Sequence, residues 1–548
     1  MSVSRVRTLA LVSVVILQIA AGTAEAATVY VNANAKGRAA ADGTSWKTAF
    51  LNLQDALDKA ASTPGSDEIW VAEGTYVPTK IYAPNAVVGG SSGLDSAHLK
   101  TFDLPDQVAI YGGFSGNEKS RSQRSSDSDR TILSGGGVSW HVVTAGNDVA
   151  HAGVRARLDG LTIQGGHAQG AAGGDLLFAP FRYGHNLGGG LYVAFDSVIN
   201  VDNVDFHDNS ADGDGGGLFS IDSTLTITGS RFSHNIAVTR AGALEVVNTY
   251  ETIPHVALIS TSVFTHNSVQ IFGGAIVGEG TLPHDDSSLD IDDCTFDHNT
   301  AFEGGAIVFD SQKTTVRNSR FTYNLATVSG GALATTNVVD TIVNASSFGP
   351  GHVFTKFATT ISNCQFSHNV AQGDRLQHDA LFGGPAAGLN FALGGGALLT
   401  YMNGYLNVID STFRDNIAEN GDGGAILNGG AEAQNVFFSG ADAFDVLTTV
   451  VNSTFVGNEA AGNGGAIASL PGSVLTIPTR TVANTTVSAT SSDFKDNAAA
   501  GNGGAIYLGA STATISNNAY EKNHAALGNS LYGVHSIING SSTSPVIQ

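Results

Sequence analysis

Positive charge is scarce in this chain: 26 Lys and Arg stand against 48 Asp and Glu, a formal net charge of -22. A surface of that sign disfavours nucleic acid and anionic membranes as partners. Charge of either sign is thin, at 14% of residues. Cysteine is nearly absent, with two in 548 residues, which excludes a disulfide framework. Long apolar runs are missing apart from Leu9–Ala21, and that run falls short of the roughly 20 residues that cross a bilayer. Arg5 and Arg7 precede it and Ala24, Glu25 and Ala26 follow, so residues 1–26 read as a secretory signal. Those residues carry a net +1, so the mature chain carries -23, with no transmembrane segment after signal cleavage. The expected location is secreted, or associated with the outer membrane or cell surface.

What the chain has in quantity is one repeated phrase: F-x-x-N, a short polar spacer, then G-G-A-[IL]. Copies begin at Phe264, Phe296, Phe321, Phe366, Phe413, Phe455 and Phe494, with looser ones at Phe206, Phe232 and Tyr520. The shortest spacing is about 25 residues, the period of a solenoid; a propeller blade needs about 40 or more. Such a unit cannot bury its own apolar face and must stack on its neighbours. Within a unit the apolar residues alternate, as at Leu225 and Ile227, which is strand periodicity. The pattern therefore predicts a parallel β-helix of roughly a dozen coils, about 55–60 Å long at the usual strand spacing. Phe is expected to stack on Phe. Asn235, Asn267, Asn299, Asn324, Asn369, Asn416, Asn458 and Asn497 are expected to form an amide ladder and to take the left-handed turn. Gly-Gly supplies positive φ at the next corner. Cys294 and Cys364 occupy a slot that is Ser in other copies, such as Ser319 and Ser411. A coil lies between them, so they are expected about 10 Å apart, as free and buried thiols.

These paired phrases resemble the repeats of the chlamydial polymorphic outer membrane proteins, found also in secreted bacterial proteins of the pectin-lyase-like fold. The resemblance covers about residues 200–530. It implies an all-β, single-stranded right-handed parallel β-helix, a pectin-lyase-like β-solenoid; the handedness comes from the resemblance alone. Ahead of the repeats, Thr28–Asn32 reads as a first strand, and Phe50, Leu53, Leu57 and Ala60 recur at helical spacing. That is a short N-terminal capping helix over the open end of the coil. Ile69–Val71 and Gly74–Tyr76 follow as strand and turn, an order that also resembles the start of pectin-lyase-like proteins. The expected division is a signal peptide at 1–26, a cap and first coils at 27–135, β-helix repeats at 136–540 and a tail at 541–548. The residues after Asn523 hold no run of barrel strands, so the chain reads as a passenger without a pore.

Long insertions fall at two corners: residues 167–187 and 372–394 after the Asn turn, and residues 334–360, 427–449 and 468–490 after the Gly-Gly strand. Stacked, they would wall a groove along one face, where repeat proteins place binding. Four features carry possible chemistry. His234, His266, His298 and His368 each precede the motif Asn, with Tyr323 interrupting, and could titrate or bind metal as a stripe. Asp285, Asp286, Asp290, Asp292 and Asp293 crowd one coil and are the candidate Ca²⁺ ligands. Arg375, His378 and Asp379 share one insertion and are the catalytic candidates. Lys119, Arg121, Arg124 and Arg130 form a basic cluster open to an acidic sugar. No paired-Asp set of a polygalacturonase or cation-plus-base set of a lyase stands in register. The leading expectation is an adhesin-like or glycan-binding protein whose partner is a polysaccharide or a host or cell-surface ligand. A pectate-lyase-like polysaccharide lyase and a structural envelope component are the alternatives.

Overall fold

The computed structural model describes residues 28–35, 41–63, 65, 67–81, 97–146, 152–170, 185–248, 254–280, 287–336, 357–377, 389–390, 393–401, 404–429, 432–433, 446–470, 485–539 and 546–547. The signal segment and the greater part of each long insertion lie outside these residues.

The regular winds share the same four strands, the first two running on as one at Arg155–Gln164 and Val198–His207. In one, a leading strand Ser288–Asp292 alternates buried and half-buried side chains and turns into the Phe strand Thr295–Asp297. The short strand Thr300–Glu303 and the Gly-Gly strand Ile307–Asp310 complete it. Strands of the same kind pair in parallel from wind to wind, giving sheets of 26, 14 and 10 strands among the described residues. Register is kept throughout: Phe296 faces Phe321, and Phe321 faces Phe366. The chain is a parallel β-helix.

Two columns hold the winds together. Phe206 through Phe494 stack ring on ring at 4.6–5.0 Å, all buried, and Tyr520 closes the column at 5.3 Å. Beside them the amides form a continuous chain. Asn299 Nδ2 donates to Asn324 Oδ1 (3.0 Å) and to the Phe264 carbonyl (2.9 Å), while the Asn299 backbone N–H donates to the same Asn324 Oδ1 (3.0 Å). The ladder extends one rung past the expected set at each end, to Asn209 and Asn523. The left-handed residue is not the Asn, as expected from sequence, but the one before it: His298 has φ 54° and Tyr323 φ 53°. The reason is geometric. The Asn must turn its amide inward along the column, so the corner falls one residue earlier.

The two glycines of the motif do different work. The first has positive φ, as at Gly304 and Gly330, and Ala241 takes that place in one wind at φ 50°. The second packs backbone on backbone: a Cβ on Gly331 would lie 2.0 Å from the Gly396 carbonyl oxygen. The N-terminal end is closed by the helix Leu53–Ser62, capped by Asn52, which buries Leu53, Ala56, Leu57 and Ala60 in the core. No helix among the described residues is long and apolar enough to cross a membrane.

Cys294 and Cys364 are free and buried. Burial pushes their thiols up to about 12 and about 11. A thiol reagent at neutral pH is therefore expected to label neither until the chain unfolds. Rapid labelling of native protein would show that the serine-slot column is open.

Candidate functional site

The outer surface of the leading and Phe strands is open, and at each wind they meet in a left-handed corner residue. That position is Asn203, Gly229, Thr261, Asp293, Asn318 and Asn363 in successive winds, with φ of 48–57°. Side chains at this corner bond to one another along the stack: Asn363 Nδ2 donates to Asn318 Oδ1 (2.7 Å), and Asn318 Nδ2 to Asp292 Oδ1 (2.7 Å). Gly229 breaks the row, and nothing lies within 4 Å of where its Cβ would be.

Beside that gap is a cavity of about 430 Å³ between the loop Ser126–Asp129 and the coil, with Asn203, Val204, Asp205, Gly229 and Arg231 as its other walls. The loop is fixed by Asn203 Nδ2 donating to the Ser126 carbonyl (2.7 Å) and Thr162 Oγ1 donating to the Ser128 carbonyl (3.1 Å). Asp205 sits just before the stacked Phe206 and points outward. Its Oδ1 is shielded from solvent and accepts no hydrogen bond. Desolvation pushes its carboxyl up, with Asp129 adding to this, against the pull of His207 and Arg231. The Asp205 carboxylate and the Arg231 guanidinium thus stand together in the cavity wall, within electrostatic reach of each other.

The sequence candidates fare differently. Asp290 and Asp292 do share the outward face, but Asp292 is bound by Arg317 Nε (3.1 Å) and by Asn318. Desolvation acts upward on Asp292, yet the hydrogen bonds from Asn318 and Arg317 hold it below the usual carboxylate range. Asp293 turns away at the corner with φ 53°, and Asp285 and Asp286 lie outside the described residues. Among the described residues no three metal-ligating side chains converge. Arg375 is exposed on a turn in which Asp374 Oδ1 accepts from the Leu376 and Gln377 N–H groups; His378 and Asp379 lie outside the described residues.

The imidazole stripe does form. His234, His266, His298, Tyr323 and His368 stack in that order at 4.9–5.2 Å. The rings meet face to face, and His298 Nδ1 meets Asp297 at 2.8 Å. Desolvation, then the neighbouring His298 and His234, lower the pKa of His266. The basic cluster is used internally. Arg121 pairs with Glu68 (2.7 Å) and lies over Tyr111, Arg124 binds Asp159 (2.5 Å), and Arg130 binds Glu73. These cations hold the loop against the coil, which is why an acidic sugar would find three of the four already paired.

Residues 452–470 and 491–509 match the Chlamydia polymorphic membrane protein repeat. The match falls on the same part of two successive winds, Ser453 to Ser469 and Ser492 to Leu508: Phe strand, Asn rung and Gly-Gly strand together, without the leading strand. Among curated proteins, the metabotropic glutamate receptor-like protein R of Dictyostelium discoideum is 30% identical over 161 residues, covering 29% of this chain and 9% of that protein. Two solved structures are similar at low identity. The Agl-KA catalytic domain has a TM-score of 0.35 and 10% identity, covering 94% of this chain and 69% of that one. The PL6 family alginate lyase AlyGC has a TM-score of 0.28 and 11% identity, covering 90% and 80%.

Two further groups were not legible from the repeat. Glu303, just before Gly304, is buried and accepts from Tyr401 Oη at 2.5 Å. Desolvation pushes its carboxyl up to about 7, Asp310 contributes, and the Tyr401 hydrogen bond opposes. His141 is half-buried beside His185 and Tyr192, with Nδ1 against the Gly188 carbonyl at 2.9 Å. Desolvation lowers it to about 4. A folded value below the unfolded one, about 6.5, means the neutral ring is the stable form. Its share of stability is full above about pH 6.5 and is lost as pH falls toward 4, about 3 kcal/mol in all. Thermal melts across that range should fall more steeply for the wild type than for His141→Gln. Parallel curves would place the acid sensitivity elsewhere.

Proposed function

We propose that the protein is a secreted or surface-associated β-helix that binds a polysaccharide or a glycan-bearing surface, in the manner of an adhesin. The cavity beside Gly229 carries this reading: Asp205 and Arg231 bring a carboxylate and a guanidinium together in one wall, at a size typical of ligand sites. The repeat supports the surface location, since it is named for membrane proteins. The open face supports a repeating partner, because Thr315, Thr360, Asn407 and Thr449 follow one another outward at one strand spacing. A glycan array probed with the chain lacking residues 1–26 tests the reading. Retention on a defined set of glycans is expected, and an empty array would overturn it.

A second reading, a polysaccharide lyase or other carbohydrate-active enzyme, is favoured by Glu303. Its carboxyl, pushed up to about 7 by burial, can carry a proton at neutral pH, but it bonds to Tyr401 and is closed to solvent, so it would serve as an acid only where substrate binding uncovers it. Ultraviolet absorbance of polygalacturonate with Ca²⁺ and enzyme should rise if the chain is a lyase, and Glu303→Gln should flatten the trace if that residue is the acid.

A further inference from the structure

The corner row of the β-helix explains why the cavity exists. In neighbouring winds a Thr, Asp or Asn occupies the left-handed corner, and Asn side chains bridge to the next one. At Gly229 the side chain is missing, and the cavity left beside it is lined by the half-buried Asp205 carboxylate and the exposed Arg231. A pocket with a carboxylate acceptor and a guanidinium donor suits a ligand whose groups donate and accept at once. Vicinal hydroxyls do this: one hydroxyl donates to the carboxylate while its neighbour accepts from the cation. A uronate suits the pocket poorly, because Asp127, Asp129 and Asp205 would face its carboxylate with a single Arg in compensation.

We infer that the Gly229 gap is a subsite for one neutral hexose unit, with Asp205 and Arg231 holding its vicinal hydroxyls. The subsite belongs to the glycan-binding reading above and names its ligand class.

The test uses the chain lacking residues 1–26 and a panel of neutral hexose oligomers (glucan, mannan and galactan), with polygalacturonate and chitosan oligomers beside them, measured by calorimetry. Two variants decide it. Gly229→Asn restores the side chain that other winds carry at the same φ, so it fills the cavity with the fold expected to stay intact, checked by circular dichroism and melting temperature. Asp205→Asn removes the acceptor charge. Each variant is expected to weaken binding of a neutral oligomer about tenfold or more. Neutral binding that both variants leave unchanged overturns the subsite and leaves the glycan-binding reading standing. Binding confined to chitosan or to polygalacturonate overturns the ligand class. No binding by any oligomer overturns the subsite and, together with an empty array, the function itself.

Discussion

Replacing Asn324 by alanine is expected to destabilise the coil by roughly 3–5 kcal/mol. Asn324 is a central rung. Its Nδ2 donates to Asn369 Oδ1 (3.0 Å) and to the Phe296 carbonyl (3.0 Å), and its Oδ1 accepts from both Asn299 N–H groups, backbone and side chain (3.0 Å each). Alanine removes all four bonds. It takes the amide partner from the Phe296 carbonyl and the acceptor from the Asn299 backbone N–H in a part of the core that water does not reach. An unsatisfied buried group costs about 1–3 kcal/mol, and two groups lose a partner at once. Aspartate should be no rescue, since it accepts but cannot donate to Phe296. Urea unfolding followed by far-ultraviolet circular dichroism measures the loss. A change below about 1 kcal/mol would mean that the rungs add little beyond the backbone ladder.

The second large effect separates the two motif glycines. Gly331→Ala is expected to cost roughly 4 kcal/mol or more, or to prevent folding. The new Cβ would sit 2.0 Å from the Gly396 carbonyl oxygen and 2.7 Å from the Val370 carbonyl carbon, all backbone, so no rotamer change relieves it. Gly330→Ala is expected to cost only about 1–2 kcal/mol, the ordinary price of a left-handed alanine. Ala241 shows that the coil already accepts alanine there, while Gly242 beside it stays glycine. Equal losses for Gly330→Ala and Gly331→Ala would mean that conformation, not close approach, sets both positions.

The columns were legible because each depends on a residue type repeated in register. A buried Phe, an amide that bonds up and down, and a backbone too close for a side chain all leave their mark in every wind. The exact corner was less legible, since His298 and Tyr323 say nothing by themselves about φ; only the inward aim of Asn299 and Asn324 fixes it. The site was missed for the opposite reason: it lies where the pattern fails. Gly229 is a glycine where the winds on either side have Asn203 and Thr261, and Asp205 stands where Arg231 and Val263 stand in the next two winds. Both departures were visible in the aligned repeats. Their meaning depended on the loop Ser126–Asp129, which folds across from far earlier in the chain. That Arg317 and Asn318 of the next wind bind Asp292 was likewise not legible from the crowded Asp290 and Asp292, because it depends on the register between winds.

The central claim is that each wind lies directly on the one before it, one strand spacing higher, whatever the length of the insertion between them. Spin labels on outward positions of the Phe strand measure this directly. The pairs join Val263 to Thr412, to Thr454 and to Asp493, which stand in register along the column. Double electron–electron resonance should give distances near 19, 24 and 29 Å, equal steps of about 4.8 Å per wind despite unequal spacers. Steps that instead follow the number of intervening residues would contradict the stack.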